Sequence, residues 1–157
     1  MKHLPKHLQP RYRYLAVSVE CWPDARLTRD ALQRELWYAA QNLLGDPGSA
    51  AVDPTVMRFR RSDGGASVIM RTRRGESDRA RAVIACVSSV DDQPVGLRVT
   101  GVSGTIRGCE EKYMGSEPET TVESTVAFEN ADRPAFARGE RLDIQVGDEF
   151  VGATMTN

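Results

Sequence analysis

Arg98-Val99-Thr100-Gly101-Val102-Ser103-Gly104-Thr105-Ile106-Arg107 is the stretch around which this 157-residue chain is organised. Leu97, just before this stretch, and Val99 fall on one face, whereas Arg98 and Thr100 fall on the other. This alternation predicts a strand. Its glycines let the backbone turn or approach another group closely. Ser103 offers a side-chain oxygen that can cap a helix. The stretch therefore predicts a strand, a turn and a short helix to about residue 114.

Upstream of this stretch, periodicity predicts three more strands and two amphipathic helices. Alternation marks the strands, apolar residues at helical spacing mark the helices, and Gly45 with Pro47 is expected to end the first helix. The predicted elements are strands at 11–21, 55–61, 66–73 and 95–100 and helices at 28–44 and 77–87. This β-α-β-β-α-β order is the ferredoxin-like, or split βαβ, α+β fold: one antiparallel sheet with its helices on one face.

The run Ser62-Asp63-Gly64-Gly65 predicts a tight hairpin between the second and third strands. Pairing across that hairpin places Met57 and Phe59 on the helix-covered face. The other face, which this fold leaves open, would carry two tyrosines and five arginines: Tyr12, Tyr14, Arg58, Arg60, Arg71, Arg73 and Arg98. Trp37 lies off the main apolar stripe of the first helix, so partial burial and a role as an interface anchor both stay open.

Charge is divided along the chain although the net charge is only −1. Residues 1–107 carry 17 Lys and Arg against 11 Asp and Glu, whereas residues 108–157 carry 4 against 11. The basic part suits an anionic partner. Arginine supplies 18 of the 21 cations, which is compatible with RNA contact and equally with genomic base composition. The carboxylate excess of the second part is compatible with adaptation to high salt.

The sequence excludes several classes of protein. Three cysteines far apart, with no paired Cys or Cys-His spacing, indicate reduced thiols in a cytoplasmic protein without a structural zinc site. The N-terminus lacks a long apolar run, so the sequence predicts neither a signal peptide nor a membrane span. His3 and His7 are separated by Pro5, which argues against a shared helical metal site.

No nucleophile with a base, and no phosphate-binding loop motif, is present, so the isolated chain does not look like an enzyme. The pairs Asp91-Asp92 and Glu110-Glu111 are most simply solvated, although either pair could hold Mg²⁺ in a larger assembly. The arginine and tyrosine face instead suits RNA phosphates and unpaired bases. The aromatic consensus of standard RNA-recognition strands is absent from residues 66–73, so contact through charge is favoured.

Residues 1–107 resemble the archaeal and eukaryotic ribonuclease P protein component 2 family. The resemblance rests on Leu4-Pro5 and Leu8 before Arg11-Tyr12-Arg13-Tyr14-Leu15, on the element order, and on Gly101-Val102-Ser103-Gly104-Thr105-Ile106-Arg107. It implies a non-catalytic protein subunit of a ribonucleoprotein that cleaves precursor tRNA to make the mature 5′ end. The RNA subunit would hold the active site and its Mg²⁺, and this chain would bind no cofactor of its own.

The same resemblance implies a second protein partner with a TIM-barrel-like fold and self-association within a heterotetramer. The RNA-binding set predicted from these patterns is Arg11, Tyr12, Arg13, Tyr14, Arg58, Arg60, Arg71, Arg73, Arg98, Ser103, Gly104, Thr105, Arg107 and Lys112. Two alternatives stay open: a ferredoxin-like regulatory module that binds a small ligand, and a general RNA binder without a dedicated partner.

We expect an RNA-associated ferredoxin-like domain over residues 1–114, with a basic N-terminal arm. Residues 115–157 form an acidic extension outside the compact family pattern, either a small β unit or a partly disordered tail. Strands are predicted there at 120–128, 142–146 and 149–151, and a turn at 130–134.

Overall fold

Strand β1 (Tyr12–Cys21) lies at the centre of a five-stranded antiparallel sheet in the computed structural model, which describes residues 4–114, 122–138 and 141–154. It pairs with β3 (Gly65–Arg73) on one side and β5 (Gln93–Ser103) on the other. With β2 (Thr55–Ser62) and β4 (Ser89–Val90) at the edges, the strand order is β2-β3-β1-β5-β4. This order, with two crossover helices, confirms the predicted ferredoxin-like fold. The helices of this part are α1 (Arg29–Val52), α2 (Ser77–Ala85) and α3 (Ile106–Tyr113).

Helix α1 is longer than predicted because it bends at Gly45 and continues. Gly45 has φ +69°, a left-handed conformation that interrupts the helix, and Pro47 lies in the first turn of the helical limb that follows. The first limb of the helix ends at Gly45 as predicted, and a second limb, which was not predicted, runs on to Val52. Thr28 caps the start, its hydroxyl accepting from the Ala31 N–H at 3.2 Å.

The main core lies between the sheet and helices α1 and α2. Leu15, Val17 and Val19 of β1 are buried there with residues of both helices, including Leu36 and Val83. Each fully buried side chain of this kind contributes about 1.5–3 kcal/mol relative to exposure.

A β-bulge in β2 changes which residues reach that core. Val56 pairs with Met70 and Phe59 with Val68, so the extra residue of the bulge is Met57. Val56 is fully buried, whereas Met57 is only partly so and lies outside the core cluster. Met57 was therefore wrongly predicted to share the core face with Phe59, because a bulge breaks the two-residue alternation.

The C-terminal segment forms a second antiparallel sheet, β6 (Val122–Phe128), β7 (Ala131–Arg138), β8 (Arg141–Val146) and β9 (Glu149–Thr154), in that order. The turn lies at Glu129 and Asn130, both at positive φ, and not across residues 130–134. Pro134 lies within β7, where pairing with β8 begins only at the next residue, so its missing N–H is tolerated.

Among the residues described, an aromatic contact and an ion pair join the two sheets. The Trp22 ring stacks on Phe150 with 5.6 Å between centroids, and Arg141 forms an ion pair with Glu20 at the end of β1. A cavity of about 370 Å³ lies beside these contacts, with Pro94 and Gly152 among its lining residues. None of the helices within the part of the chain that the structure describes is long and apolar enough to cross a membrane.

Two glycines beside Glu20 offer a matched test of this packing. A methyl group at Gly65 would overlap the Val19 carbonyl, a backbone atom that cannot move away, whereas one at Gly96 would lie 3.9 Å from the Glu20 side chain. We expect Gly65→Ala to lower the free energy of unfolding by about 2–3 kcal/mol. We expect Gly96→Ala to change it by less than about 0.5 kcal/mol. Chemical denaturation of both variants measures the difference. Equal losses of unfolding free energy would contradict the close contact between Gly65 and the Val19 carbonyl.

Candidate nucleic-acid interface

The second face of the main sheet is not open as predicted, because α3 packs across its centre. Ala16 and Ile69 are buried beneath α3 with Cys109, and Tyr14, Ile106 and Met114 pack around them. An apolar patch in the middle of the face needs such a cover. The arginines of that face therefore surround α3 as a rim.

The strand-to-helix turn that begins α3 is built from small polar residues. Thr105, not Ser103, is the N-cap: its hydroxyl accepts from the Gly108 N–H at 3.0 Å. Ser103 accepts instead from the Thr105 N–H at 3.4 Å, a longer bond within the turn. Gly101 lets the Tyr113 ring lie directly on β5, since any side chain there would overlap the ring.

Cys109 anchors α3 to the sheet. Its thiol is fully buried and donates to the Tyr14 carbonyl at 3.2 Å. Burial raises the pKa of this thiol, the neighbouring Glu110 carboxylate raises it further, and a hydrogen bond with the Ser103 backbone opposes both. Cys109 is therefore a protonated structural group.

A row of four residues crosses the sheet beside α3 and forms the clearest candidate contact for a polyanion. Arg60 pairs with Ser67, Ser67 with Ser18, and Ser18 with Arg98, so all four side chains point to the same face. Both arginines are exposed, and neither has an ion-pair partner among the residues the structure describes. The row spans three strand spacings, about 14 Å. We call it the serine channel.

Helix α3 borders the serine channel on one side, and the ion pair between Glu20 and Arg141 borders it on the other. The next row along the strands, with Ile69 and Ala16, lies under α3, and the following row on the other side contains Glu20, which is paired with Arg141 of the second sheet. Because Ser18 and Ser67 have small side chains, the sheet surface between these two borders is recessed. The sequence pattern gave Arg60 and Arg98 but missed Ser18 and Ser67. Extending the hairpin register through β1 to β5 would have found both.

Three predicted arginines of this face already have partners. Arg71 lies over the Tyr12 ring, 4.2 Å from its centroid, and is half-buried. Arg58 lies 3.8 Å from Glu110, and Arg73 lies 4.0 Å from Asp53. The last two pairs are exposed and weak, so a phosphate can compete for either arginine.

The remaining predicted residues cluster near the start of β1 and around α3. Gly104 lies so close to the Arg13 guanidinium that a methyl group there would be 2.9 Å from it. Arg107 pairs with Glu111 at 2.7 Å on the exposed side of α3, which also carries Lys112. Arg11 is exposed just before β1. The structure thus gathers most of the predicted set on one side of the sheet, with Tyr14 packed beneath α3 rather than free to stack on a base. Arg13 is the exception, because it pairs with the buried Thr72 and so belongs by register to the side that carries Leu15.

Other arginines are structural and do not belong to the interface. Arg61 donates to the Gly65 and Ala25 carbonyls, and Arg29 donates to the Val56 carbonyl at 2.7 Å. These bonds tie chain segments together at the edge of the sheet. No group of three potential metal-binding side chains occurs among residues 4–114, 122–138 and 141–154.

The model of the Rpp14/Pop5 family matches residues 13–114. The chain belongs to the Rpp14/Pop5 family. Similar chains named "Ribonuclease P protein component 2" occur in Natronomonas pharaonis, 58% identical over 98% of this chain and 96% of that one, and in Haloarcula marismortui, 58% identical over 98% and 97%. A chain in the structure of yeast ribonuclease MRP is similar with a TM-score of 0.47 and 15% identity, covering 64% of this chain and 79% of that one.

The match to the Rpp14/Pop5 family ends before the second sheet, whose first strand begins at Val122. Residue 114 is the last one matched, yet the two relatives are similar over 98% of this chain. The acidic extension therefore lies beyond the span of the family match but within the length shared with these relatives.

The cap at the start of α3 can be tested by removing each hydroxyl in turn. We expect Thr105→Ala to lower the free energy of unfolding by about 1 kcal/mol, because the Gly108 N–H loses its acceptor. Ser103→Ala should cost less than about 0.5 kcal/mol, because its bond is long. Urea denaturation of the two variants compares them, and a larger loss for Ser103→Ala would contradict the observed cap.

The raised pKa of Cys109 predicts a pH dependence of stability. The folded state holds the thiol proton more tightly than the unfolded chain does, so stability is complete below the ordinary thiol pKa and falls as pH rises above about 8.5. Cys109→Ala should flatten this alkaline decline, whereas Cys86→Ala, which removes an exposed thiol, should leave it unchanged. Denaturation at a series of pH values measures the slope, and identical slopes in all three proteins would contradict the prediction.

Proposed function

We propose that this chain, a non-catalytic protein subunit of ribonuclease P, binds the RNA of that ribonucleoprotein through the serine channel and the arginines around α3. Membership of the Rpp14/Pop5 family and near full-length similarity to chains named as ribonuclease P components support the subunit assignment. The RNA contact is supported by the concentration of exposed guanidinium groups on one side of the sheet.

The single observation that carries the RNA contact is the row of Arg60, Ser67, Ser18 and Arg98. Two guanidinium groups, without an ion pair to any described residue, stand at the ends of a polar row and suit two phosphates of one RNA backbone. Arginine binds phosphate with paired donors, and such contacts release counterions. The channel has no base-reading pattern, so recognition of RNA shape and charge is favoured over sequence reading.

The finer partners follow from the family resemblance and remain proposals. They are the RNA subunit with its catalytic Mg²⁺, precursor tRNA bound through the holoenzyme, a TIM-barrel-like protein subunit, and a second copy of this chain within a heterotetramer. A cytoplasmic location and the absence of a cofactor bound to this chain are proposed on the same basis. Family membership makes a small-ligand regulatory module the weaker alternative.

Removal of the channel arginines tests the RNA contact. We expect the double variant Arg60→Gln with Arg98→Gln to bind ribonuclease P RNA more weakly and to reduce the slope of log affinity against log salt by about 2, because two phosphate contacts are lost. Titrations of labelled RNA at several KCl concentrations measure both quantities.

Arg81→Gln is the matched control, because Arg81 is an exposed arginine on α2, in the helix layer on the opposite side of the sheet. It should leave the salt slope unchanged. An unchanged slope in the double variant, or an equal change in the control, would show that the contact depends on overall charge and not on the channel.

A further inference from the structure

The cavity between the two sheets lies at one end of the serine channel. We call it the inter-sheet cavity; it is lined by the end of β1 and the start of β5 on one side and by β8 and β9 on the other. Its volume of about 370 Å³ falls within the range of roughly 300–1,000 Å³ typical of ligand pockets. Gly96, Gly152 and Thr154 are exposed among its lining residues, so the cavity is open to solvent.

Gly96 connects this cavity to the serine channel. Residues two apart on a strand share a face, so Gly96 lies on the same side of the sheet as Arg98, and Glu20 on the same side as Ser18. The ion pair between Glu20 and Arg141 closes the border of the channel beside β1, whereas Gly96 has no side chain that could close it beside β5. A nucleotide held at Arg98 therefore lies about 7 Å along the strand from an open path into the cavity.

The walls of the inter-sheet cavity suit a flat ring. Gly96 of the first sheet and Gly152 of the second both line it without a side chain, and a methyl group at Gly152 would have no heavy atom within 4 Å. The Trp22 side chain, which is stacked on Phe150, adds an aromatic surface at the same place. Unpaired bases commonly stack on aromatic side chains in RNA-binding proteins.

The polar groups of the cavity favour hydrogen-bond donors over phosphates. Arg141 and Asp143 lie two apart on β8, and Arg141 reaches Glu20, so Asp143 also faces the first sheet. Asp143 is buried, and because a carboxylate has about four acceptor positions it can accept from a ligand in addition to its interactions within the chain. Among the described residues that line the cavity, Arg141 is the only cation, and it is already paired with Glu20.

We propose that the inter-sheet cavity binds an unpaired guanine of the RNA that lies in the serine channel. Guanine presents a ring N–H and an amino group side by side, and these two donors match the two oxygens of the Asp143 carboxylate. Adenine and cytosine place an acceptor beside their amino group, and uracil flanks its N–H with two carbonyl groups. The channel would thus hold the backbone by charge, while the cavity would select one base. The inference rests on the proposed function for the placement of the RNA.

Single-stranded oligouridylates with one variable central base test this selection. The full-length chain is titrated with oligonucleotides whose central base is uracil, adenine, guanine or hypoxanthine, which lacks only the amino group of guanine. We expect the guanine oligonucleotide to bind at least about fivefold more tightly than each of the others, because a bidentate contact is formed with guanine alone. Equal affinities for guanine and hypoxanthine, or for guanine and adenine, would overturn the proposal.

A photoreactive base locates the contact. 6-Thioguanine keeps the ring N–H and the amino group, and under ultraviolet light it crosslinks to residues beside it. With this base at the centre of the oligonucleotide, we expect a crosslinked peptide that contains Trp22 or part of β9. Crosslinks confined to the arginines around α3 would overturn the proposal.

Two substitutions in the cavity should remove the preference for guanine. Gly152→Val fills the open space, and a β-branched residue suits a strand, so folding should be preserved. Asp143→Asn keeps the size of the side chain but replaces one acceptor with a donor. Each should reduce the preference for guanine to less than about twofold and leave the slope of log affinity against log salt unchanged, because no phosphate contact is lost. Thermal unfolding checks the fold, and Gly152→Val decides the test if Asp143→Asn unfolds.

Ser124→Val is the matched control, because it adds a valine to the exposed strand β6, which does not line the cavity. It should keep the full preference for guanine, and an equal loss in this control would overturn the proposal. The double variant Arg60→Gln with Arg98→Gln should instead weaken binding of all four oligonucleotides and lower the salt slope. If no oligonucleotide binds the parent chain, the serine channel fails and the cavity proposal with it; if all four bind equally, the cavity proposal alone fails.

Discussion

The burial of Ala16 and Ile69 under α3 is the constraint on which the rest of this molecule depends. A ferredoxin-like sheet usually covers one face with its two crossover helices, but here the central strands are also apolar on the other side. That patch must be removed from water, and the segment after β5 does so with Ile106, Cys109 and Met114. Because α3 occupies the centre, charged groups of the same face can reach solvent only at its border.

This arrangement separates the chemistry of the two layers. Guanidinium groups surround α3 on one side of the sheet, while the bent α1 presents an indole ring and carboxylates on the other. The second sheet, joined through Trp22 and Arg141, closes one end of the basic side.

Local patterns were sufficient for the β-α-β-β-α-β order and for the hairpin at Asp63-Gly64, because turn chemistry and alternation act over a few residues. They did not predict the short β4 or strand β7. They failed where the outcome depends on distant packing. Met57 was misplaced because a bulge is not visible in a two-residue period, and Pro134 was taken for a turn residue although it lies in a strand. The packing of α3 over the sheet was also missed, because Ala16 and Ile69 are far apart in sequence. Only the register between β1 and β3 shows that they are neighbours and form one apolar patch.

The candidate interface was predictable in composition but not in arrangement. The arginines were visible in the sequence, yet whether each one is free, as Arg60 is among the residues described, or bound into the structure, as Arg61 is, depends on partners far along the chain.

The row from Arg60 to Arg98 draws on four strands that span residues 18 to 98, so it exists only once β2, β3, β1 and β5 have all paired. A ligand that recognises this spacing binds the native chain and not the unfolded one. By mass action it must then shift the folding equilibrium toward the native state, by an amount set by its concentration relative to its dissociation constant. Assembly and folding of this subunit are in that sense thermodynamically linked.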